Sequence, residues 1–387
     1  MAENLVWENG EYYDIKSPRD VRLLSEKKVR SVLLVTDRVL RGEGITQPLE
    51  RLLAEKKIKC AVYDRTSVNP TVDNVEDARK MYIKDKCECL IAFGGGSSID
   101  CAKAAGARIA YPQKTLDELK GLLRVWRKLP PLIVIPTTAG TGSEVTVTAV
   151  ITDSQKRHKY TMNNFTMIPS YAVQDPVVTY TLPPALTSTT GMDALTHAVE
   201  AYIGRSTTKE TRALALEATR LVFENVETAY REPENYEARK NMLQAAYKAG
   251  VSFTKSYVGY IHAIAHSLGG QYHTPHGLAN AILMPYVLEA YGPTIHDKLH
   301  ELGIAAGVAV PEDTHETGAK KFIAAIRTLN RNMNIPEKLI GIDKKDIPTM
   351  ARYAEKEANP LYPVPVLMDR KQLEQFYYQI ADWSVKK

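Results

Sequence analysis

Short apolar runs alternate with amphipathic segments through the first half of the chain. Four runs are rich in Val, Ile and Leu, and each has the length of a buried parallel strand: SVLLVTD, IKCAVYD, CECLIAFGGG and PLIVIPTTAG. Apolar residues recur with a helical period in three other segments: ITQPLERLLAEKK, VEDARKMYIKDK and SIDCAKAAGARIA. This alternation predicts a parallel sheet with helices on both faces.

The pattern changes twice after the fourth strand. EVTVTAVITD and KRHKYTMNN alternate polar and apolar residues and predict a hairpin, and YAVQDP predicts a last strand. From TLPPAL onward, long helical patterns such as ETRALALEATRLVFENVETAY dominate, and strand signal almost disappears. We therefore predict an α/β domain over residues 1–182 and an all-helical domain over residues 183–387.

Length and composition are those of a two-domain globular protein. The chain has 387 residues, 44% hydrophobic and 25% charged, and its net charge of +5 is spread along it. The basic residues at 120–128 alternate with Leu, Val and Trp, so we interpret this stretch as a solvated helix face and not as a nucleic-acid site. Neither a signal-peptide pattern nor an apolar run of about 18 residues is found. We expect a cytoplasmic protein with reduced cysteines and with neither a nucleic-acid nor a membrane partner.

Glycine and hydroxyl residues follow two of the strands. In IAFGGGSSID, Gly94 to Gly96 lie between a strand and a helix whose N-terminal N–H groups favour a phosphate. Ser97 or Ser98 is expected to cap that helix. The loop is not G-x-G-x-x-G, so a tight structural turn is an equal alternative. PTTAGTGSE, at the end of the next strand, favours the phosphate, because ligands of open α/β sheets bind at the carboxyl ends of strands. Asp37 ends the first strand and would either accept a hydrogen bond from a ribose or cap a helix.

Four of the nine histidines fall within YIHAIAHSLGGQYHTPHG, residues 260–277. His262 and His266 have the i, i+4 spacing that puts two side chains on one helix face. We expect this helix to end at Gly269-Gly270, with His276 in the loop that follows.

A second pair with the same spacing lies just after the predicted domain boundary. GMDALTHAVEAY holds Asp193 and His197, again on one face of a helix. Asp193 and His197, together with His262 and the loop residue His276, make a ligand set of one oxygen and three nitrogens, which leaves a metal one position open for a substrate oxygen. His266 and His273 would lie nearby, for hydrogen bonding or proton transfer. The alternative is a set of polar helix contacts without a metal.

GGGSSID, PTTAGTGSE, GMDALTHAVEAY and HAIAHSLGGQYHTPHG resemble, in order and spacing, the motifs of the iron-containing (group III) alcohol dehydrogenases. The resemblance extends from VTD to about Pro293. It implies a Rossmann-like α/β domain followed by an all-α domain, an architecture shared with dehydroquinate synthase. It also implies iron bound by the four residues above, His266 near the substrate, and a nicotinamide cofactor that contacts Asp37, Asn69, Gly95, Gly96, Ser97, Thr137, Thr138, Thr146, Lys159 and Leu182.

The implied activity is hydride transfer between NAD(H) and a small alcohol or aldehyde bound to the metal, in a homo-oligomer of two or more chains. NAD is expected over NADP, because the charge of Asp37 would repel a 2′-phosphate. Zinc is an alternative to iron, since these ligands hold Zn²⁺ more tightly than Fe²⁺. Alternative functions are an NAD-using lyase of the dehydroquinate synthase type and a non-catalytic metal- or nucleotide-binding protein. The C-terminal EANPLYPVPVLMD departs from the NPR ending of better-known members, which leaves the substrate range open.

Overall fold

The computed structural model describes residues 29–154 and 158–384, which form two compact units. An α/β unit contains residues 29–138 and 143–180. A helical unit contains residues 139–142 and 181–384. The domain limits predicted from the sequence, 1–182 and 183–387, stay our proposal for the functional domains.

The α/β unit is built on a five-stranded, fully parallel sheet of order β2-β1-β3-β5-β8. The strands are β1 (Ser31–Val35), β2 (Lys59–Tyr63), β3 (Cys89–Gly94), β5 (Leu132–Pro136) and β8 (Tyr171–Ala172). β1, β3 and β5 are buried along their whole length, which is why their sequences are uniformly apolar. The chain leaves β1 toward β2 and then crosses to β3. The strand order therefore reverses between β1 and β3, where sheets of this kind bind ligands.

Helices cover both faces of this sheet, as the sequence predicts. They are α1 (Arg38–Gly42), α2 (Gln47–Glu55), α3 (Val72–Lys84), α4 (Gly96–Ala110) and α5 (Leu116–Leu119). Successive residues of β1 enter different cores: Val32 and Leu34 pack in one, and Leu33 and Val35 in the other. β8 is shorter than YAVQDP predicted, because a 3₁₀ turn begins at Pro176.

A small second sheet contains the predicted hairpin. β6 (Thr148–Asp153) and β7 (His158–Asn163) pair antiparallel, and β4 (Gly121–Leu122) pairs parallel with β7. The prediction of a helix face at 120–128 is therefore wrong. Gly121 and Leu123 have φ angles of +89° and +55°, which a helix cannot accommodate, and the edge of β7 supplies hydrogen-bond partners that a helix would not use.

The second unit is helical apart from one pair of two-residue strands, β9 (Leu339–Ile340) and β10 (Ala381–Asp382). Its helices are α6 (Pro184–Ile203), α7 (Lys209–Arg231), α8 (Tyr236–Ser256), α9 (Tyr260–Tyr272), α10 (His276–Tyr291), α11 (His296–Ala305), α12 (His315–Asn332), α13 (Ile347–Ala358) and α14 (Arg370–Ile380). They enclose one large apolar core. In the described residues, none of these helices combines the length and the apolarity needed to cross a membrane.

α9 extends past the two glycines where we expected it to end. It continues to Tyr272, and His273 adopts the left-handed conformation (φ +56°) that closes a helix. The left-handed position that glycines commonly fill is thus taken here by a histidine. Gly269 and Gly270 are interior helix residues instead.

A buried ionic cluster ties α4 to the segment that leads into β6. Lys103 is fully buried, and its Nζ donates to the carbonyl oxygens of Thr146 and Thr148 at 2.8 and 2.9 Å. Asp100, one turn earlier, accepts from the Ser143 hydroxyl at 2.7 Å and from a β6 amide at 2.9 Å. Burial lowers the pKa of Lys103 to about 8, although Asp100 opposes this shift. The cluster fixes this segment against α4.

We predict that Lys103→Met destabilises the α/β unit. The substitution leaves the partly buried carboxylate of Asp100 and the buried carboxylate of Glu144 without the nearby cation, and removing one partner of a buried charge pair typically costs about 3–5 kcal/mol. We expect the apparent melting temperature, followed by circular dichroism, to fall by roughly 6–20 °C. Lys80→Met is the control, because Lys80 is 71% exposed in its pair with Asp77 and should change little. Equal melting temperatures for both variants would contradict the proposed importance of the cluster.

Candidate functional site

Three helices of the helical unit bring three predicted ligands together. Asp193 lies on α6, His262 on α9 and His276 on α10. The Asp193 Oδ1 atom is 3.8 Å from His262 Nε2 and 3.5 Å from His276 Nε2. One ligand atom from each residue lies within 4.8 Å of the others. Asp193 and His262 are buried, whereas a third of the His276 side chain is exposed. The group is therefore compact and reachable from one side.

The position of His276 depends on a glycine beside it. We expected His276 to lie in a loop, but it is the first residue of α10. A Cβ atom on Gly277 would overlap the carbonyl oxygen of Thr189 on α6 and would lie 3.4 Å from the Asp193 Cβ. Only glycine lets α10 begin so close to α6, and this contact places His276 beside Asp193.

His197, the fourth predicted ligand, is adjacent to this group but outside it. Its ring stacks on Phe253 with centroids 4.2 Å apart and lies 4.4 Å from the ring of His262. Burial lowers the pKa of His197, which favours the neutral ring that a metal needs. Its Nδ1 is buried without a hydrogen-bond partner. A buried nitrogen in this state is costly unless a cation satisfies it, so the assignment of His197 as a ligand stays a prediction with physical support.

Glu200 is a site residue that the sequence analysis missed. Its carboxylate lies 2.6 Å from His262 Nδ1 and accepts from the backbone N–H groups of Gly259 and Ile261, both at 2.8 Å. It thus holds the start of α9 and the His262 ring together, and it leaves Nε2 to face Asp193. Burial raises the pKa of Glu200 to about 7, against the effect of these hydrogen bonds. The sequence did contain one signal for Glu200, because it is the only charged residue in the otherwise uncharged segment THAVEAYI.

Asn280 is the second missed residue, and it lies among the ligands. It is fully buried on α10, one turn after His276. Its Nδ2 is 2.7 Å from Asp193 Oδ1, 3.3 Å from His262 Nε2 and 3.2 Å from His276 Nε2. One electropositive amide therefore contacts all three acceptor atoms. Acceptors that converge on a single point in this way fit a cation, so the residues present suit a divalent metal.

His266 lies beside the metal group, one helical turn after His262. Its ring stacks on His276 with centroids 5.1 Å apart and an interplanar angle of 16°. Its Nδ1 is 2.7 Å from a carboxylate oxygen of Glu357 on α13, a third residue that the sequence analysis missed. Glu357 is 91 positions away from His266, so no sequence pattern could have joined them. His273, by contrast, is the exposed cap of α9.

The carboxyl ends of β3 and β5 bring the predicted phosphate loops together. Gly95 precedes α4 as its N-cap, without the side-chain cap that we expected from a serine. A Cβ atom on Gly95 would lie 3.3 Å from Thr138 Oγ1, and the Thr137 N–H donates to the Gly94 carbonyl at 3.1 Å. The two loops thus form one surface beside the N-terminus of α4, as expected of a pyrophosphate site.

The other predicted cofactor residues divide between the two units. At the end of β1, Asp37 caps α1: its Oδ1 accepts two backbone N–H groups at 2.9 and 3.0 Å. Lys159 Nζ donates to Asn69 Oδ1 at 2.8 Å, and the Ser97 hydroxyl donates to the neighbouring Val68 carbonyl. Gly96 begins α4, and Thr146 is held by the buried ionic cluster. Leu182 belongs to the helical unit. Their contacts with a cofactor stay predictions.

Comparisons with known proteins cover both units. Residues 19–176 match the family described as "Iron-containing alcohol dehydrogenase", and residues 187–381 match "Fe-containing alcohol dehydrogenase family, C-terminal". The chain is 37% identical over 339 residues to alcohol dehydrogenase 4 of Saccharomyces cerevisiae, which covers 87% of each chain. It is also 37% identical over 342 residues to 1,3-propanediol dehydrogenase of Klebsiella pneumoniae, again covering 87% of each.

Solved structures of alcohol and aldehyde oxidoreductases also superpose on nearly the whole chain. A 1,3-propanediol oxidoreductase superposes with a TM-score of 0.89 at 34% identity, over 95% of both chains. Sulfoacetaldehyde reductase from Bifidobacterium kashiwanohense, in complex with NAD⁺, superposes with a TM-score of 0.83 at 27% identity, over 96% of this chain and 95% of that one. The chain belongs to the iron-containing alcohol dehydrogenase family, as its motifs predict.

Proposed function

We propose that this protein transfers hydride between NAD(H) and a small alcohol or aldehyde at a metal held by Asp193, His197, His262 and His276. The observation that carries the proposal is the convergence of three buried or half-buried acceptor atoms on one point. The named relatives act on small alcohols and aldehydes. The structurally similar sulfoacetaldehyde reductase is described with NAD⁺.

When bound, a divalent metal supplies Lewis acidity, which eases loss of the alcohol proton or polarises an aldehyde carbonyl. The protein's own residues make this chemistry specific. Glu200 fixes the ring of His262, and Asn280 aligns the Asp193 carboxylate, so the ligand atoms are held in place before a substrate arrives. His266 lies beside them and would exchange the substrate's proton.

The α/β unit would bind the cofactor that accepts or donates the hydride. Backbone N–H groups at the start of α4 would hold the pyrophosphate, and Gly95 leaves room for it. Asp37 would accept a ribose hydroxyl at the point where the strand order reverses. Iron is the metal of the family, and the same donors also suit zinc.

We further propose a cytoplasmic location and a homo-oligomer of two or more chains. Cys60, Cys87, Cys89 and Cys101 form no disulfide in the described part of the chain, which supports a reducing compartment. Light scattering coupled to size exclusion would measure the number of chains. A nucleic-acid partner is not expected.

We predict that His276→Ala loses both metal and turnover while the fold survives. Removing a ligand should cost more than the roughly 10- to 100-fold lost when a residue behind a ligand is changed. Elemental analysis and NADH absorbance with short aldehydes measure the two effects, and circular dichroism checks the fold. His273→Asn is the matched control, because it removes an exposed imidazole from a position whose left-handed backbone Asn tolerates. A His276→Ala protein that keeps the full metal content and the full activity of the wild type would contradict the assignment of His276 as a ligand.

We predict that His266→Ala keeps its metal and loses rate. The His266 ring stacks on His276 and its Nδ1 is held by Glu357, and a group that exchanges a substrate proton typically contributes at least about 100-fold in kcat. Metal content and kcat are measured on the same preparation. Loss of metal as complete as in His276→Ala would show that His266 is itself a ligand.

We predict that Asp37 makes the enzyme prefer NADH. Two like charges about 4 Å apart repel by roughly 4 kcal/mol at an effective dielectric of 20. A screened remainder of about 1.4–3 kcal/mol would favour NADH over NADPH by roughly ten- to a hundredfold. Asp37→Ser removes the charge and keeps an oxygen to cap α1, so kcat/KM for NADPH should rise strongly and that for NADH should change less. A wild-type preference for NADPH, or an unchanged ratio in the variant, would contradict this role.

A further inference from the structure

Two histidines on consecutive turns of α9 are held in the same way. His262 Nδ1 lies 2.6 Å from a carboxylate oxygen of Glu200, and His266 Nδ1 lies 2.7 Å from one of Glu357. The hydroxyl of Tyr362 donates to the same Glu357 oxygen, also at 2.7 Å. Glu357 and Tyr362 come from the C-terminal segment whose sequence departs from the better-known NPR ending.

A carboxylate at Nδ1 determines how the imidazole carries its proton. An ionised carboxylate only accepts, so Nδ1 must donate, and the lone pair of the neutral ring is then on Nε2. Partial burial opposes ionisation of Glu357, yet His266 and the Tyr362 hydroxyl hold its pKa below the usual range. The ring plane of His266 is constrained independently by its stacking on His276. Both the tautomer and the orientation of His266 are therefore specified.

The segment that carries Glu357 is itself tied to α9. At the start of this helix, the Tyr260 hydroxyl lies 2.6 Å from Asn359 Oδ1 and accepts from the Met368 N–H at 2.9 Å. One residue after His266, the Ser267 and Tyr377 hydroxyls are 2.6 Å apart. These contacts fix α13 and the chain after it against α9. Glu357 is thus placed by the fold and is not a mobile surface carboxylate.

We propose that Glu357, secured by Tyr362, is the positioning residue of His266 and holds its ring for proton exchange with the substrate. This inference rests on the proposed function. The carboxylate does not touch the reacting atoms. It acts through the imidazole, as Glu200 acts through His262 at the metal group.

A double-mutant cycle tests the inference. Glu357→Gln keeps the size of the side chain but removes its charge, and its amide can donate to Nδ1, which favours the wrong tautomer. We expect kcat to fall by about 10- to 100-fold, with the KM for NADH and the metal content unchanged. Tyr362→Phe, which removes one hydrogen bond, should lower kcat by about two- to tenfold. In a His266→Ala background neither substitution should lower kcat further, because the residue through which they act is gone.

The matched control is Glu355→Gln, on the same helix, whose carboxylate accepts from the Arg370 N–H and should leave kcat unchanged. The proposal would be overturned if Glu357→Gln lowered kcat by the same factor in the wild-type and in the His266→Ala background. Loss of metal, or an unchanged kcat in both Glu357→Gln and Tyr362→Phe, would overturn it too. Should Glu357→Gln fail to fold, Tyr362→Phe completes the cycle alone. Failure of the proposed function is distinct, since it would appear in the wild type as absent NADH turnover with every aldehyde and alcohol.

Discussion

The arrangement of the helical unit depends on one constraint: buried acceptor atoms must be satisfied. Asp193, His262 and His276 direct an oxygen and two nitrogens toward one point, where the Asn280 amide contacts all three. Electron-rich atoms that converge away from water repel one another and lose hydration. A divalent cation removes both costs, so the energetics of burial and the requirement for catalysis coincide at this site.

Holding such a group requires a rigid frame, and the frame is made of close helix contacts and of buried or partly buried carboxylates. Gly277 lets α10 start against α6, and Glu200 joins α6 to the first turn of α9. Glu357 joins α13 to the next turn. In the α/β unit, Lys103 and Asp100 hold the segment with Thr146 to α4 by the same means. These charged side chains therefore fix how the elements they join meet.

The sequence predicted the parts of this architecture that depend on local pattern. The apolar runs of β1, β3 and β5, the β6–β7 hairpin and the helical i, i+4 pairs were confirmed, because burial and periodicity leave a direct mark on composition. Glu200 and Glu357 were missed, because their partners lie 59 to 91 positions away. Asn280 was missed although it lies one turn after His276, because its contact with Asp193 spans 87 positions. The predicted end of α9 was wrong for a local reason. His273, and not one of the preceding glycines, adopts the left-handed conformation that ends the helix.

The most direct test of this account is an anomalous diffraction map from crystals of the protein loaded with Fe²⁺ or Zn²⁺. We expect a single metal peak at about 2.0–2.2 Å from Asp193 oxygen and from the Nε2 atoms of His262 and His276, with a nitrogen of His197 as the fourth ligand. A metal peak at these three residues but beyond bonding distance of His197 would remove His197 from the ligand set and leave the position of the site unchanged. A metal bound elsewhere, or no metal peak in crystals loaded at saturating metal concentration, would contradict the central claim.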